Sequence, residues 1–83
     1  MSKYSVTFAR IARKELESLP ATIVRRIFPK IESLAINPRP SGCKKLKGST
    51  DLWRIRVGEY RVIYSILDRI VCVEIIAVRH RSD

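Results

Sequence analysis

Apolar and polar residues alternate through Leu52-Trp53-Arg54-Ile55-Arg56-Val57 and through Tyr60-Arg61-Val62-Ile63-Tyr64-Ser65-Ile66, with Gly58-Glu59 between them. A period of two belongs to half-buried strands, and two intervening residues beginning with glycine make a hairpin turn. In that hairpin Val57 faces Tyr60 and Arg56 faces Arg61. A second tight turn at Asp68-Arg69 leads to a further strand over Ile70–Val78. Before the hairpin the period lengthens. Lys3–Phe8 predicts a short strand, and Ala9–Ser18 a helix with Phe8, Ile11, Ala12, Leu16 and Leu19 on its inner stripe. Pro20 closes that helix and opens a second one reaching Ile36, with Ile23, Val24, Ile27, Ile31, Leu34 and Ala35 facing inward. Pro29 falls inside it, where a missing N–H predicts a kink. Asn37–Gly42 forms the long loop, and Cys43–Leu46 reads as a short strand.

Carrying the register across both hairpins sorts the sheet into two faces. One presents Trp53, Ile55, Val57, Tyr60, Val62, Tyr64, Ile66, Val71, Val73, Ile75 and Ala77, and both helices should cover it. The other carries Arg54, Arg56, Arg61, Ser65, Cys72 and Glu74 among Ile63, Leu67, Ile76 and Val78, with Glu74 beside Ile63. The predicted class is α+β in the order β-α-α-β-β-β: two N-terminal helices on one face of a small, mostly antiparallel twisted sheet. One domain should span 1–83, since a chain this short buries about 60–65% of its unfolded surface in a single core.

The face pattern gains meaning from charge. Seventeen lysines and arginines against eight acids give a net charge of +9 and a pI near 10.3. That balance favours nucleic acid, an acidic protein or an anionic membrane. No apolar run approaches the ~20 residues that span a bilayer, and Met1-Ser2-Lys3-Tyr4 holds no signal-peptide core. Cys43 and Cys72 make neither a disulfide framework nor a metal spacing, so both are expected reduced, in the cytoplasm.

Like charges directly opposite in a sheet cost roughly 0.2–1 kcal/mol, and a hairpin that sets Arg56 against Arg61 has a use for both. Arginine's planar fork grips phosphate through two parallel charge-assisted hydrogen bonds and never loses its charge. Lys44, Lys45 and Lys47 come to the edge of the same sheet and suit tracking a nucleic-acid backbone. Arg79-His80-Arg81 ends the last strand: Arg79 and Arg81 add phosphate-binding capacity. His80, the single histidine, is the candidate proton shuttle near neutrality. The chain has no glycine-rich phosphate loop, serine triad, carboxylate pair or metal-ligand cluster. Neither cofactor nor metal is expected.

Lys44-Lys45-Leu46-Lys47-Gly48, Trp53 to Tyr64 and the ending Val78-Arg79-His80-Arg81, in this element order, resemble the RelE/ParE superfamily of toxins over essentially the whole chain. The resemblance implies the toxin of a toxin–antitoxin pair, silenced by a small acidic RelB-like antitoxin, in assemblies that include toxin–antitoxin heterotetramers. RelE-type members bind the 70S ribosome A site and cleave messenger RNA there, without metal, using the RNA's own 2′-hydroxyl as nucleophile. Carried over by position, Arg54, Arg56, Arg61 and Arg81 fall on the basic residues of the RelE site. RelE itself has lysines at the first two, and arginine is too basic to serve as general base. The tyrosine that follows the terminal arginine in RelE is missing from this sequence, which ends at Asp83: either the chain is cut short, or His80 takes the proton-transfer role, or activity is weak. The ParE branch shares the fold but blocks DNA gyrase and cuts nothing. A module that only binds partners is the third alternative. An antitoxin should add charged residues near the arginines and an amphipathic helix against Ile63, Leu67, Ile76 and Val78.

Overall fold

A computed structural model describes residues 3–49 and 51–82. Met1, Ser2, Thr50 and Asp83, which include parts of the expected N-terminal segment, the turn before the arginine hairpin and the chain end, lie outside the described residues. Strand β1 (Ser5–Phe8) precedes helices α1 (Arg10–Glu17) and α2 (Ala21–Ser33). Then come β2 (Lys44–Lys45), β3 (Leu52–Val57), β4 (Tyr60–Leu67) and β5 (Cys72–His80). The sheet order is β1-β5-β4-β3-β2, with β1 parallel to β5 and every other pairing antiparallel. The expected α+β architecture is present, and β2 is the short strand predicted at Cys43–Leu46, trimmed to two residues.

Both helices cover one face of the sheet. Ala12 and Leu16 of α1 and Ile27 and Ile31 of α2 pack with Leu34 against Ile55, Val62, Tyr64, Ile66, Val73, Ile75 and Val78. Each fully buried aliphatic side chain contributes about 1.5–3 kcal/mol. Tyr64 is completely buried, and its hydroxyl donates to the Pro38 carbonyl at 2.7 Å, so the core pins the long loop. Burial, with Cys43 nearby, pushes the Tyr64 hydroxyl's pKa well up.

The helix boundaries differ from the pattern's. Ile11 is 59% exposed, because α1 turns only Ala12 and Leu16 fully inward. α2 runs through Pro29, which removes one backbone bond without ending the helix. It stops at Ser33, where N–H groups of Leu34, Ala35 and Ile36 bond three residues back and tighten the last turn. Ile36, expected at the end of the helix, is exposed beyond it.

The larger correction lies in β5. Residues Asp68–Ile70 form a 3₁₀ turn, Val71 follows at φ 52, and β5 starts at Cys72, two residues later than predicted. The β4–β5 ladder then shifts: Tyr64 faces Ile75 while Ile63 faces Ala77, leaving Ile76 as an extra residue. This bulge exchanges the two faces beyond it. Val78, expected among the arginines, is 3% exposed in the helix-side core, and Ala77 takes the other face. Glu74 lies opposite Ser65, away from Ile63.

Candidate phosphate-binding site

The arginine hairpin forms as its sequence predicts. Arg56 faces Arg61 and Val57 faces Tyr60. Gly58 has φ 60, with no positive φ at Glu59, the type II′ pattern that suits a two-residue hairpin. The Arg26 guanidinium lies over this turn, and a Cβ at Gly58 would sit 3.3 Å from its Nη2.

The bulge makes the charge cluster larger than the hairpin alone. It brings Arg79 opposite Arg61, so Arg56, Arg61 and Arg79 form one row across β3, β4 and β5. Neighbouring strands lie about 4.8 Å apart, so the three backbones span about 10 Å. Arg54 sits one pleat away on the same face, and Lys44 faces Arg54. Lys45 pairs with Trp53, so its register places it on the opposite side, and Lys47 lies past the strand; all three lysines are exposed.

Each cation is held differently. Arg61 donates from Nη2 to the Arg81 carbonyl, while Arg81 N–H bonds the Glu59 carbonyl at 2.8 Å. The chain end is thereby tied to the hairpin turn and to the start of β4. Arg81 also approaches the Glu59 carboxylate at 3.7 Å, an exposed pair that adds little. Arg79 Nε donates to Glu15 at 2.9 Å. Arg54 and Arg56 have no hydrogen bond or ion pair among the described residues. They and the exposed part of Arg61 are the charges most open to an incoming anion.

His80 is not brought to this face. Alternation along β5 and its pairing with Tyr60 place it on the helix side, with its ring edge-on to Tyr60 at a centroid distance of 5.2 Å. Its Nδ1 lies 2.8 Å from Ser82 Oγ and accepts from the Ser82 N–H at 3.2 Å. The expectation that it joins the arginines fails because adjacent strand residues point to opposite faces. The expected greasy contact loses Val78 to the core; Ile63, Leu67 and Ile76 remain half-buried.

Two acids were not foreseen. Glu15 of α1 bridges to β5, and Asp68 accepts from Tyr4 at 2.6 Å and Arg39 at 2.9 Å. Arg39 also stacks over Trp53 at 5.2 Å. The only local signal was scarcity: each acid in a chain with twice as many bases has cationic neighbours to choose from. No group of three His, Cys, Asp or Glu side chains among the described residues is disposed to hold a metal ion. No described helix is long and apolar enough to cross a membrane.

Residues 6–83 match the family described as ParE toxin of type II toxin–antitoxin system, parDE. The chain belongs to the RelE/ParE family of toxins. A relative named putative toxin RelE1, from Methanocaldococcus jannaschii, is 35% identical, over 93% of this chain and 91% of its own length. The mRNA interferase toxin RelE of Escherichia coli strain K12 is 31% identical, covering 96% and 87%. Among solved structures, a chain of the archaeal RelE–RelB complex from Pyrococcus horikoshii OT3 superposes with a TM-score of 0.83 at 34% identity, covering 98% and 97%. In this RelE/ParE toxin the arginine row therefore sits on a sheet shared with RelE proteins, and both helices lie behind it.

Proposed function

We propose that this toxin is an endoribonuclease that cuts messenger RNA in the ribosomal A site, with Arg54, Arg56, Arg61 and Arg81 around the scissile phosphate. The observation that carries this reading is the row Arg56–Arg61–Arg79 with Arg61 bonded to the Arg81 backbone. Arg56 and Arg61, like charges directly opposite each other, are stabilised by an anion that bridges them. The 2′-oxygen attacks phosphorus in line, forming a cyclic phosphate as the bond to the 5′-oxygen breaks. The 2′-hydroxyl proton leaves and the departing 5′-oxygen gains one. Negative charge grows on the non-bridging oxygens, where preorganised guanidinium donors stabilise the transition state more than the ground state. Arginine holds its proton too tightly to remove one, so its work here is electrostatic. His80 contributes from the other face by packing on Tyr60 and fixing the strand end that carries Arg79 and Arg81. Lys44, Lys45, Lys47 and the overall +9 charge steer the protein toward RNA. The partner that silences it is an acidic antitoxin.

One finding favours a second reading. The matching family description is that of ParE, and ParE-type action on gyrase uses the same fold without cleavage. A pulse of expression with separate measurement of protein synthesis and DNA supercoiling distinguishes the two. Translation should fall while supercoiling stays normal; lost supercoiling with continuing translation would overturn the ribonuclease reading.

A further inference from the structure

The partner of Arg79 comes from a part of the molecule far from the hairpin. β1 reaches only as far as Ile75: Phe8 pairs with Ile75, and the Ala9 N–H bonds the Ile75 carbonyl at 2.9 Å. β5 continues to His80 without a strand on that side. An uncovered strand edge leaves backbone donors unsatisfied and open to wrong pairing. α1 lies along this stretch, and one carboxylate, that of Glu15, answers two consecutive residues. Its Oε1 accepts the Val78 N–H at 2.9 Å, and its Oε2 accepts Arg79 Nε at 2.9 Å. Among the described residues it is the one acid paired with a member of the arginine row.

We propose that Glu15 is a positioning residue of the arginine site, acting through Arg79. It draws that guanidinium to the sheet edge and fixes the strand end leading to Arg81. A bound phosphate then meets Arg56 and Arg61 and not all three members of the row. This inference rests on the RNA-cleaving reading and adds a residue to it. Glu15 supplies selectivity among cations of one sign: it withdraws the Arg79 charge from competition for the same oxygens. A carboxylate that merely neutralised charge would not also need the adjacent backbone N–H.

Glu15→Gln tests the idea, because the amide oxygen can still accept from Val78 while the lost charge releases Arg79. Freed, Arg79 binds phosphate in unproductive poses, so RNA affinity should rise as turnover falls. On ribosome-programmed mRNA, KM should drop severalfold and kcat should fall about tenfold. Binding of a short single-stranded RNA should tighten, with its salt slope steeper by about 0.7 for the added phosphate contact. If Glu15→Gln proves unfolded, Arg79→Gln breaks the pair from the other side. That variant has no charge to release, so RNA affinity and salt slope should not rise, and a gain in either would overturn the proposal. Unchanged KM, kcat, RNA affinity and salt slope in the folded variant would overturn the proposal, as would parallel losses of binding and turnover. A wild-type protein that binds the RNA without cutting mRNA would remove the cleavage reading but leave the binding comparison to decide Glu15. Absence of RNA binding in both proteins would overturn Glu15's role as well.

Discussion

At single positions, orientation decides more than residue type. His80 has the chemistry for proton transfer but faces Tyr60 and Ser82, across the sheet from the arginines. A positioned acid or base is worth about 10²–10⁴ in rate. We expect His80→Ala to lower kcat by less than about tenfold in ribosome-programmed cleavage, and a loss in the larger range would return the histidine to the chemistry. Val71 poses the opposite case, an ordinary residue in an unusual conformation. It is the one non-glycine residue with positive φ among the described residues, at φ 52 and ψ 54, and it is β-branched. Such a backbone costs roughly 1–3 kcal/mol, while glycine adds about 0.5–1 kcal/mol of lost chain freedom. Val71→Gly should therefore raise stability by about 1 kcal/mol, read as a higher urea midpoint. A lower midpoint would show that the valine side chain packs better than its exposure implies.

Among the elements, the ties between distant segments set the shape of the site. Asp68, after β4, joins Tyr4 beside β1 to Arg39 in the long loop. Its hydrogen bond from Arg39, followed by that from Tyr4, holds the carboxyl below its ordinary pKa. A depressed carboxylate contributes stability at neutral pH that is lost as pH falls through its folded-state pKa, below the ordinary value of about 3.9. The urea midpoints of wild type and Asp68→Asn should differ at pH 7 and converge below about pH 4. A constant gap down to pH 3 would mean that the clamp does not depend on the charge. The arginine hairpin was legible in the sequence because Arg54, Arg56 and Arg61 mark its phase and Gly58 marks its turn. The bulge was not, because the extra residue hides in Ile75-Ile76-Ala77-Val78, where no polar side chain shows which face is which. Missing it moved Val78 to the wrong face and obscured the alignment of Arg79 with Arg61. The Glu15 bridge was illegible for another reason: 63 residues separate it from Val78, and no local period reports such a contact.

Across the whole molecule, charge and architecture serve different ends. The helices bury one face, which frees the other to carry charges that a core could not hold. The +9 excess attracts polyanions from a distance with a strength that falls as salt rises, but it does not choose among them. In the proposed reading, selection falls to the few arginines that the sheet register fixes. Cleavage of mRNA on programmed ribosomes by wild type and Arg61→Ala, at matched protein levels, probes that division most directly. Arg61 sits at the centre of the row and holds the Arg81 carbonyl, so its loss should cost about 10²–10³ in kcat, as for other preorganised donors. Its side chain leaves no core cavity, so the urea midpoint should stay close to that of wild type. A folded Arg61→Ala protein that cuts at the wild-type rate would contradict the assignment of the arginine row as the site of chemistry.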